Sequence, residues 1–246
     1  MYSYKCITTY NGKRYNGWQK QGNTSNTIQE KIENTLSRMF NEPIDIIGSG
    51  RTDAGVHALG QIFNFKCATE ISGTFLSDIN GFLPQDIRIL SCEKCSERFH
   101  SRLNAREKIY QYRIDTSLYG NPFLHDTTHN VPTPLDIDAM KKGASYLIGT
   151  HDFKSFCSNK RMKKSSIRTI FDITFEQNTD EDLLLITYRG NGFLYNMVRI
   201  MTGTLIEIGL GIHNPDDIIT ALDNPDRSLA GHTAPAKGLF LMEVIY

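Results

Sequence analysis

The sequence predicts an α/β or α+β fold of two similar-sized halves, in which helices pack against mostly antiparallel sheets. Each half mixes short strand-like runs with longer segments whose apolar residues recur at helical spacing. Short polar or glycine-bearing turns between strand-like runs favour antiparallel hairpins. The chain has 246 residues and 39% hydrophobic content, enough for a substantial core. We predict domains at 1–104 and 105–246.

The first half begins with a strand at 2–10, followed by the turn signal Asn11-Gly12. Thr27 and Glu30 fit a capping box, which predicts the start of a helix that packs on the sheet. The predicted core face of this helix comprises Ile28, Ile32, Leu36, Met39 and Phe40. The other elements predicted here are strands at 43–47, 60–65 and 87–90 and a weaker helix at 74–83.

The second half repeats these classes of element without repeating the sequence. The polar segment 177–181 joins two strand-like runs and predicts a hairpin. The predicted elements are strands at 108–115, 169–176, 182–189 and 239–246 and helices at 136–148, 193–210 and 215–222.

Arg199 interrupts the apolar run 197–201 within one of these predicted helices. A cation on or near a buried face requires a partner. Arg199 either forms a structural ion pair or belongs to a site whose acid lies in the other half of the chain. Asp53 is the acid that we nominate.

Asp53 lies two residues after Arg51 in a glycine-punctuated segment, 48–57, which the flanking strands predict to be a surface loop. The segment lacks the lysine that a phosphate-binding P-loop needs. It has an acid where a dinucleotide fingerprint needs glycine, and its glycines are too close together for a nucleophile elbow. A neighbouring guanidinium lowers the pKa of a carboxyl group, which suits a nucleophile or electrostatic stabiliser. The alternative is an aspartate that only caps a turn.

Acidic and basic residues balance at 27 each, so a polyanionic partner must be held by local clusters. One cluster comprises Lys154, Lys160, Arg161, Lys163, Lys164 and Arg168. The other comprises Arg98, His100, Arg102, Arg106 and Lys108, interleaved with Phe99 and Tyr110. Cations with aromatic residues suit a nucleic-acid backbone and its bases, and the alternative for each cluster is a solvated basic face.

Composition predicts a cytoplasmic globular protein, because the sequence contains neither a membrane span nor a signal peptide. Five irregularly spaced cysteines do not form a disulfide framework, so we expect free thiols. Cys92 and Cys95 have metal-ligand spacing but lack the second pair of a structural zinc site. His125 and His129 fall in a predicted loop, and we expect no metal there either.

Motif residues occur in order along the whole chain, at 10–12, 17–19, 50–58, Asn80, 83–84, 86–87, 99–102, 108–112, 152–153, 155–156, 193–199 and 234–239. Together, these segments resemble the bacterial tRNA pseudouridine synthases that act at tRNA positions 38–40.

The resemblance implies the pseudouridine synthase fold, with an active-site cleft between the two domains. It also implies an isomerase that breaks the N1–C1′ bond of uridine, turns the base and joins C5 to C1′, without a metal or organic cofactor. Asp53 would be the catalytic carboxylate, Tyr110 would stack on the uracil and serve in removing the C5 proton, and Arg199 would pair with Asp53. Covalent attack by Asp53 and assisted elimination both remain open.

The implied substrate is the anticodon arm of tRNA, the implied assembly is a homodimer, and Arg51 would help to flip the base. Implied RNA contacts are Phe99, His100, Ser101, Arg102, Lys160, Arg161, Lys163 and Lys164. Asn11 and Leu103 depart from the usual aspartate and aromatic residue, which leaves details of RNA docking open. The alternatives are a ribosomal-RNA pseudouridine synthase and a non-catalytic RNA-binding protein.

Overall fold

The computed structural model describes residues 1–159 and 164–246, which contain ten β-strands and five α-helices. The strands are β1 Tyr2–Tyr10, β2 Ile46–Gly48, β3 His57–Cys67, β4 Ile87–Lys94, β5 Glu107–Asp115, β6 His129–Asn130, β7 Gly149–Asp152, β8 Ile167–Asn178, β9 Leu183–Gly190 and β10 Leu239–Ile245. The helices are α1 Ile28–Phe40, α2 Phe75–Phe82, α3 Ile137–Leu147, α4 Met197–Gly209 and α5 Asp217–Asp223. The predicted class, helices with mostly antiparallel sheets, is confirmed.

The chain forms two compact units, Met1–Arg106 with Phe240–Tyr246, and Glu107–Leu239. The first unit therefore includes most of the last strand of the chain. The division of function between 1–104 and 105–246 stays a prediction.

In the first unit the strand order is β4-β1-β3-β10, and β2 pairs with β3. β1 runs antiparallel to both β3 and β4, and β2 runs antiparallel to β3. β10 is the exception, because it lies parallel to β3 with Phe240 opposite His57. β3 is thus held on both sides where it leaves the glycine-rich segment.

Helix α1 packs its predicted face against this sheet. The Thr27 side chain accepts a hydrogen bond from Glu30 N, as the capping-box pattern predicts. Of the predicted core residues, Ile28, Ile32 and Leu36 are at most 1% exposed, whereas Met39 and Phe40 are half-buried. The Phe40 ring packs near those of Phe65 and Phe75.

In the second unit the strand order is β5-β9-β8-β7, all antiparallel, and the two-residue β6 lies parallel to β5. β8 and β9 form the predicted hairpin. Asp136 caps α3 by accepting from Ala139 N, and α4 is buried along most of its length. Burial on most sides suits its apolar composition.

Several predicted boundaries were wrong. The strands predicted at 60–65 and 87–90 extend over His57–Cys67 and Ile87–Lys94. The helix predicted at 193–210 begins at Met197, because Asn196 before it has a left-handed backbone with φ of 60°. The strand predicted at 43–47 pairs instead as Ile46–Gly48. Strands β6 and β7 were not predicted, since each is too short to show a period.

No helix in the described part of the chain is long and apolar enough to cross a membrane. Within the same ranges, no group of three or more His, Cys, Asp or Glu side chains is arranged to hold a metal ion.

Candidate active site

The glycine-rich segment forms a loop, 49–56, between the antiparallel strands β2 and β3. Along it, Arg51 is exposed, Thr52 is 6% exposed and Asp53 is half-buried. Val56 N donates to the carbonyl oxygen of Asp53 at 3.1 Å, which tightens the turn. The acid therefore lies near solvent on backbone anchored by its buried neighbour.

Thr52 is that anchor. Its hydroxyl Oγ1 lies 2.8 Å from the Tyr10 hydroxyl, and its carbonyl oxygen accepts from Trp18 N at 3.0 Å. Burial raises the pKa of Tyr10, so this phenol stays neutral at any ordinary pH. Tyr10 and Trp18 also pack ring against ring, with centroids 5.9 Å apart. The residue before Asp53 is thus bonded through both side chain and backbone.

Two glycines allow the segment after β1 to lie close to this loop. Gly17 has φ of 89°, and a Cβ there would lie 2.7 Å from the Thr52 carbonyl oxygen. A Cβ on Gly12 would overlap the Val56 carbonyl group, and Gly12 N donates to His57 Nδ1 at 3.2 Å. Side chains at these positions would push the loop away from its support.

The start of the loop is fixed by Gln61 of β3. Ser49 donates from Oγ to Gln61 Oε1, while Gln61 Nε2 donates to the Gly50 carbonyl oxygen at 3.1 Å. Ser49 and Gln61 are fully buried. Both hydrogen bonds are neutral, the first between buried side chains and the second to half-buried Gly50, and they hold backbone in place without adding a charge.

Asp86 secures the segment that follows β1. It accepts from Arg14 Nη2 at 2.7 Å and from the Tyr15 hydroxyl at 2.6 Å, and its backbone oxygen accepts from Asn11 N. Burial works against ionisation, but the hydrogen bonds from Tyr15 and Arg14 hold the pKa of Asp86 below its usual value. Asn11, one of the departures, caps the next turn by accepting from Lys13 N.

Tyr110 lies on β5 in the second unit and is 7% exposed. Its ring meets that of Phe193 edge to face, with centroids 5.2 Å apart and an interplanar angle of 81°. Such contacts restrict the ring to one orientation. The ring of Tyr110 is therefore a fixed platform rather than a mobile surface group.

Arg199 lies in the first turn of α4 and is half-buried. Its Nε donates to the Ala234 carbonyl oxygen at 2.7 Å and its Nη1 to Asn196 Oδ1 at 2.9 Å. Ala234 N donates in return to the Arg199 carbonyl oxygen. Because a guanidinium is planar, two bonds from different nitrogens define its plane. Pairing of Arg199 with Asp53 stays a prediction.

The segment 99–102 divides into exposed and buried members. Arg102 is exposed, while His100 is half-buried and its Nδ1 accepts from Arg102 N. Ser101 is fully buried, and both its N and its Oγ donate to Asn64 Oδ1. The Phe99 ring packs at 5.1 Å from that of Tyr246.

Of the implied RNA contacts in 160–164, Lys164 is exposed. The predicted contacts Lys160, Arg161 and Lys163 lie outside the described residues. Leu103, the other departure, is 76% exposed.

Sequence reasoning missed the residues that support the Asp53 loop, chiefly Tyr10, Thr52, Gln61 and Asp86. Tyr10 and Thr52 lie inside the quoted motifs, but their contact joins positions 42 residues apart. The signal available was the polar character of Gln61, which alternates with Phe63 and Phe65 on the core side of the predicted strand.

The matched family model is described as tRNA pseudouridine synthase, and it covers residues 6–104 and 144–246. Several curated relatives named tRNA pseudouridine synthase A are similar over nearly their whole length. The protein from Bacillus sp. (strain KSM-64) is 46% identical over 242 residues, 98% of each chain. The one from Brevibacillus brevis is 44% identical over 243 residues, 98% of each chain, and the one from Acetivibrio thermocellus is 42% identical over 247 residues, 100% of each chain. The chain therefore belongs to the tRNA pseudouridine synthase family of isomerases.

Proposed function

We propose that this chain converts uridine to pseudouridine at positions 38, 39 and 40 of the anticodon arm of tRNA, with Asp53 as the catalytic carboxylate. One observation carries the assignment of Asp53. Its loop is held by buried hydrogen bonds through Thr52, yet Asp53 itself is only half-buried, two residues from the exposed Arg51. A reacting carboxylate needs such a fixed and reachable position.

The reaction is an isomerisation, so no atom is gained or lost overall. The N1–C1′ bond breaks, a C5–C1′ bond forms, the C5 proton leaves and N1 gains a proton. An ionised Asp53 acts at C1′ as a nucleophile or by assisting elimination. Arg199 pairs with it and keeps it ionised.

Tyr110 stacks on the uracil and serves in removing the C5 proton. The edge-to-face contact with Phe193 supports this role, because it sets the orientation of the ring before substrate arrives. A base inside a stem must first be extruded, at a cost of about a few kcal/mol. Arg51 aids that step from its exposed position.

The RNA backbone is held by Arg102 and His100, with Phe99, and by the basic residues Lys160, Arg161, Lys163 and Lys164. Ser101, being buried, contributes by holding the segment through Asn64. A homodimer in the cytoplasm completes the proposal, since paired surfaces extend the basic area of a chain with no net charge.

The test is pseudouridine mapping in tRNA and ribosomal RNA from a strain that lacks this gene, complemented with the wild type, Asp53→Asn or Asp45→Asn. Asp45 is a matched control because it is an exposed acid just before β2. We expect wild type and Asp45→Asn to restore pseudouridine at tRNA positions 38–40 and Asp53→Asn to restore none.

Purified Asp53→Asn should also bind tRNA within a few-fold of wild type, because the acid contributes to chemistry rather than to phosphate contacts. Turnover by Asp53→Asn would refute its catalytic role. Loss confined to ribosomal RNA in the deletion strain would point to the ribosomal alternative, and no loss at all would point to a non-catalytic RNA-binding protein.

A further inference from the structure

Cys6 and Cys92 meet on one face of the sheet in the first unit. They are direct partners in the antiparallel pairing of β1 with β4, and their Sγ atoms lie 2.6 Å apart. Directly opposed residues in such a pair have Cα atoms about 4.5–5.5 Å apart, within the range that disulfides bridge. A disulfide bond of about 2.05 Å thus requires a shift of about half an ångström.

The other three cysteines are not placed opposite a second thiol in this way. All five cysteines are free, as predicted. Cys67 Sγ donates to the Thr69 carbonyl oxygen at 3.0 Å. Cys95 follows Cys92 by three residues, and its backbone N still bonds to β1 at the Ser3 carbonyl oxygen, so strand alternation turns its side chain to the other face. Cys157 belongs to the second unit.

The two thiols differ in exposure. Cys6 is fully buried, whereas Cys92 is half-buried near the edge of the sheet. Burial, and then the neighbouring Cys92, raise the pKa of the Cys6 thiol. A small reagent therefore reaches Cys92 first, and Cys6 is the buried resolving partner.

We propose that Cys6 and Cys92 form a redox-sensitive dithiol site, which closes to an intrachain disulfide when it meets a low-molecular-weight disulfide such as oxidised glutathione. The Cys92 thiolate attacks one sulfur of the reagent, forms a mixed disulfide and releases one glutathione thiolate. Cys6, having lost its proton to solvent, then attacks Cys92 Sγ and releases the second glutathione. Two protein thiols are oxidised, and one glutathione disulfide is reduced to two thiols.

The sequence makes the bond easy to locate, because trypsin leaves each cysteine on its own peptide. The peptides are 6–13, 67–88, 89–94, 95–98 and 155–160. The folded protein is incubated with oxidised glutathione, alkylated, digested without reduction and analysed by mass spectrometry. We expect a single cross-linked species joining 6–13 to 89–94, with the other three cysteines alkylated.

The variants Cys92→Ser and Cys6→Ser separate the two steps. Cys6→Ser should retain glutathione on Cys92, whereas Cys92→Ser should acquire neither glutathione nor a cross-link. The oxidised wild type should also unfold several degrees higher than the reduced protein, since the bond closes a long loop containing α1, β2, β3 and α2. A bond between Cys92 and Cys95, glutathione that persists on wild-type Cys92, or five unmodified thiols would each overturn the proposal.

Discussion

Replacing Tyr10 with phenylalanine tests how the catalytic loop is held. The change removes one hydroxyl, which lies 2.8 Å from Thr52 Oγ1 in a setting where both residues are nearly buried, 4% and 6% exposed. Leaving a buried hydroxyl without that partner costs about 1–3 kcal/mol of unfolding free energy. Each kcal/mol lowers the melting temperature by about 2–4 °C in a protein of this size.

Tyr10→Phe should also lower the catalytic rate, and this effect is separate from the loss of stability. Thr52 directly precedes Asp53, and a displacement of about 1 Å at a reacting group can lower the rate about a hundredfold. We therefore expect Tyr10→Phe to lower kcat by about tenfold or more and to leave KM within a few-fold, in single-turnover assays on an unmodified tRNA transcript at a temperature where the variant is folded.

Tyr4→Phe is the matched control, because Tyr4 lies on the same strand and the same face. It is 2% exposed, and its hydroxyl accepts from Ile71 N at 3.1 Å, away from the loop. This variant should lose similar stability but keep its kcat. Thr52→Val completes a double-mutant cycle with Tyr10→Phe. A coupling energy below about 0.5 kcal/mol between these two positions would refute the reasoning. Equal kcat in Tyr10→Phe and Tyr4→Phe would refute it as well.

Three further variants test other parts of the structure. Gly17→Ala should lower both stability and kcat, because its Cβ would lie 2.7 Å from the Thr52 carbonyl oxygen. Gly211 also has a positive φ but open space around it, so in a melting assay Gly211→Ala should lose only the stability that corresponds to backbone strain. Burial lowers the pKa of His129 from 6.5 to about 4. As the pH falls from 6.5 towards 4, the unfolded chain therefore takes up a proton before the folded protein does, and the free energy of unfolding decreases. His129→Gln should flatten this dependence on pH in denaturant titrations. Removing Lys163 and Lys164 together should reduce the log-log salt dependence of tRNA binding by about 0.9 for each lost phosphate contact, whereas removing the exposed Lys66 should not.

Elements with local signals were predicted well from the sequence. Helix α1 carries its own start signal in Thr27 and a regular apolar face, and the β8–β9 hairpin carries its turn. The helix at 193–210 was placed too early, since apolar composition continues through residues that the left-handed Asn196 keeps out of the helix. Periodicity detects burial, and it does not detect a single reversed backbone angle.

Long-range pairing was harder to predict. The parallel placement of β10 beside β3 joins Phe240 to His57, and no local pattern encodes a partner so distant in sequence. The candidate acid shows the same limit. Asp53 and its loop were found from glycine spacing and flanking strands, but the contacts that position the loop come from Tyr10 and Gln61, which look like ordinary strand residues.

Those contacts share one property, which bears on how the site works. The hydroxyls of Tyr10 and Thr52 and the amide of Gln61, which hold the Asp53 loop directly, are neutral, whereas the Arg14–Asp86 ion pair secures the segment after β1. Salt weakens exposed ion pairs but has little effect on buried neutral hydrogen bonds, so the position of Asp53 should not depend on ionic strength. RNA binding through exposed lysine and arginine side chains should depend on it strongly. Rising salt should therefore weaken tRNA binding while leaving kcat at saturating tRNA nearly constant.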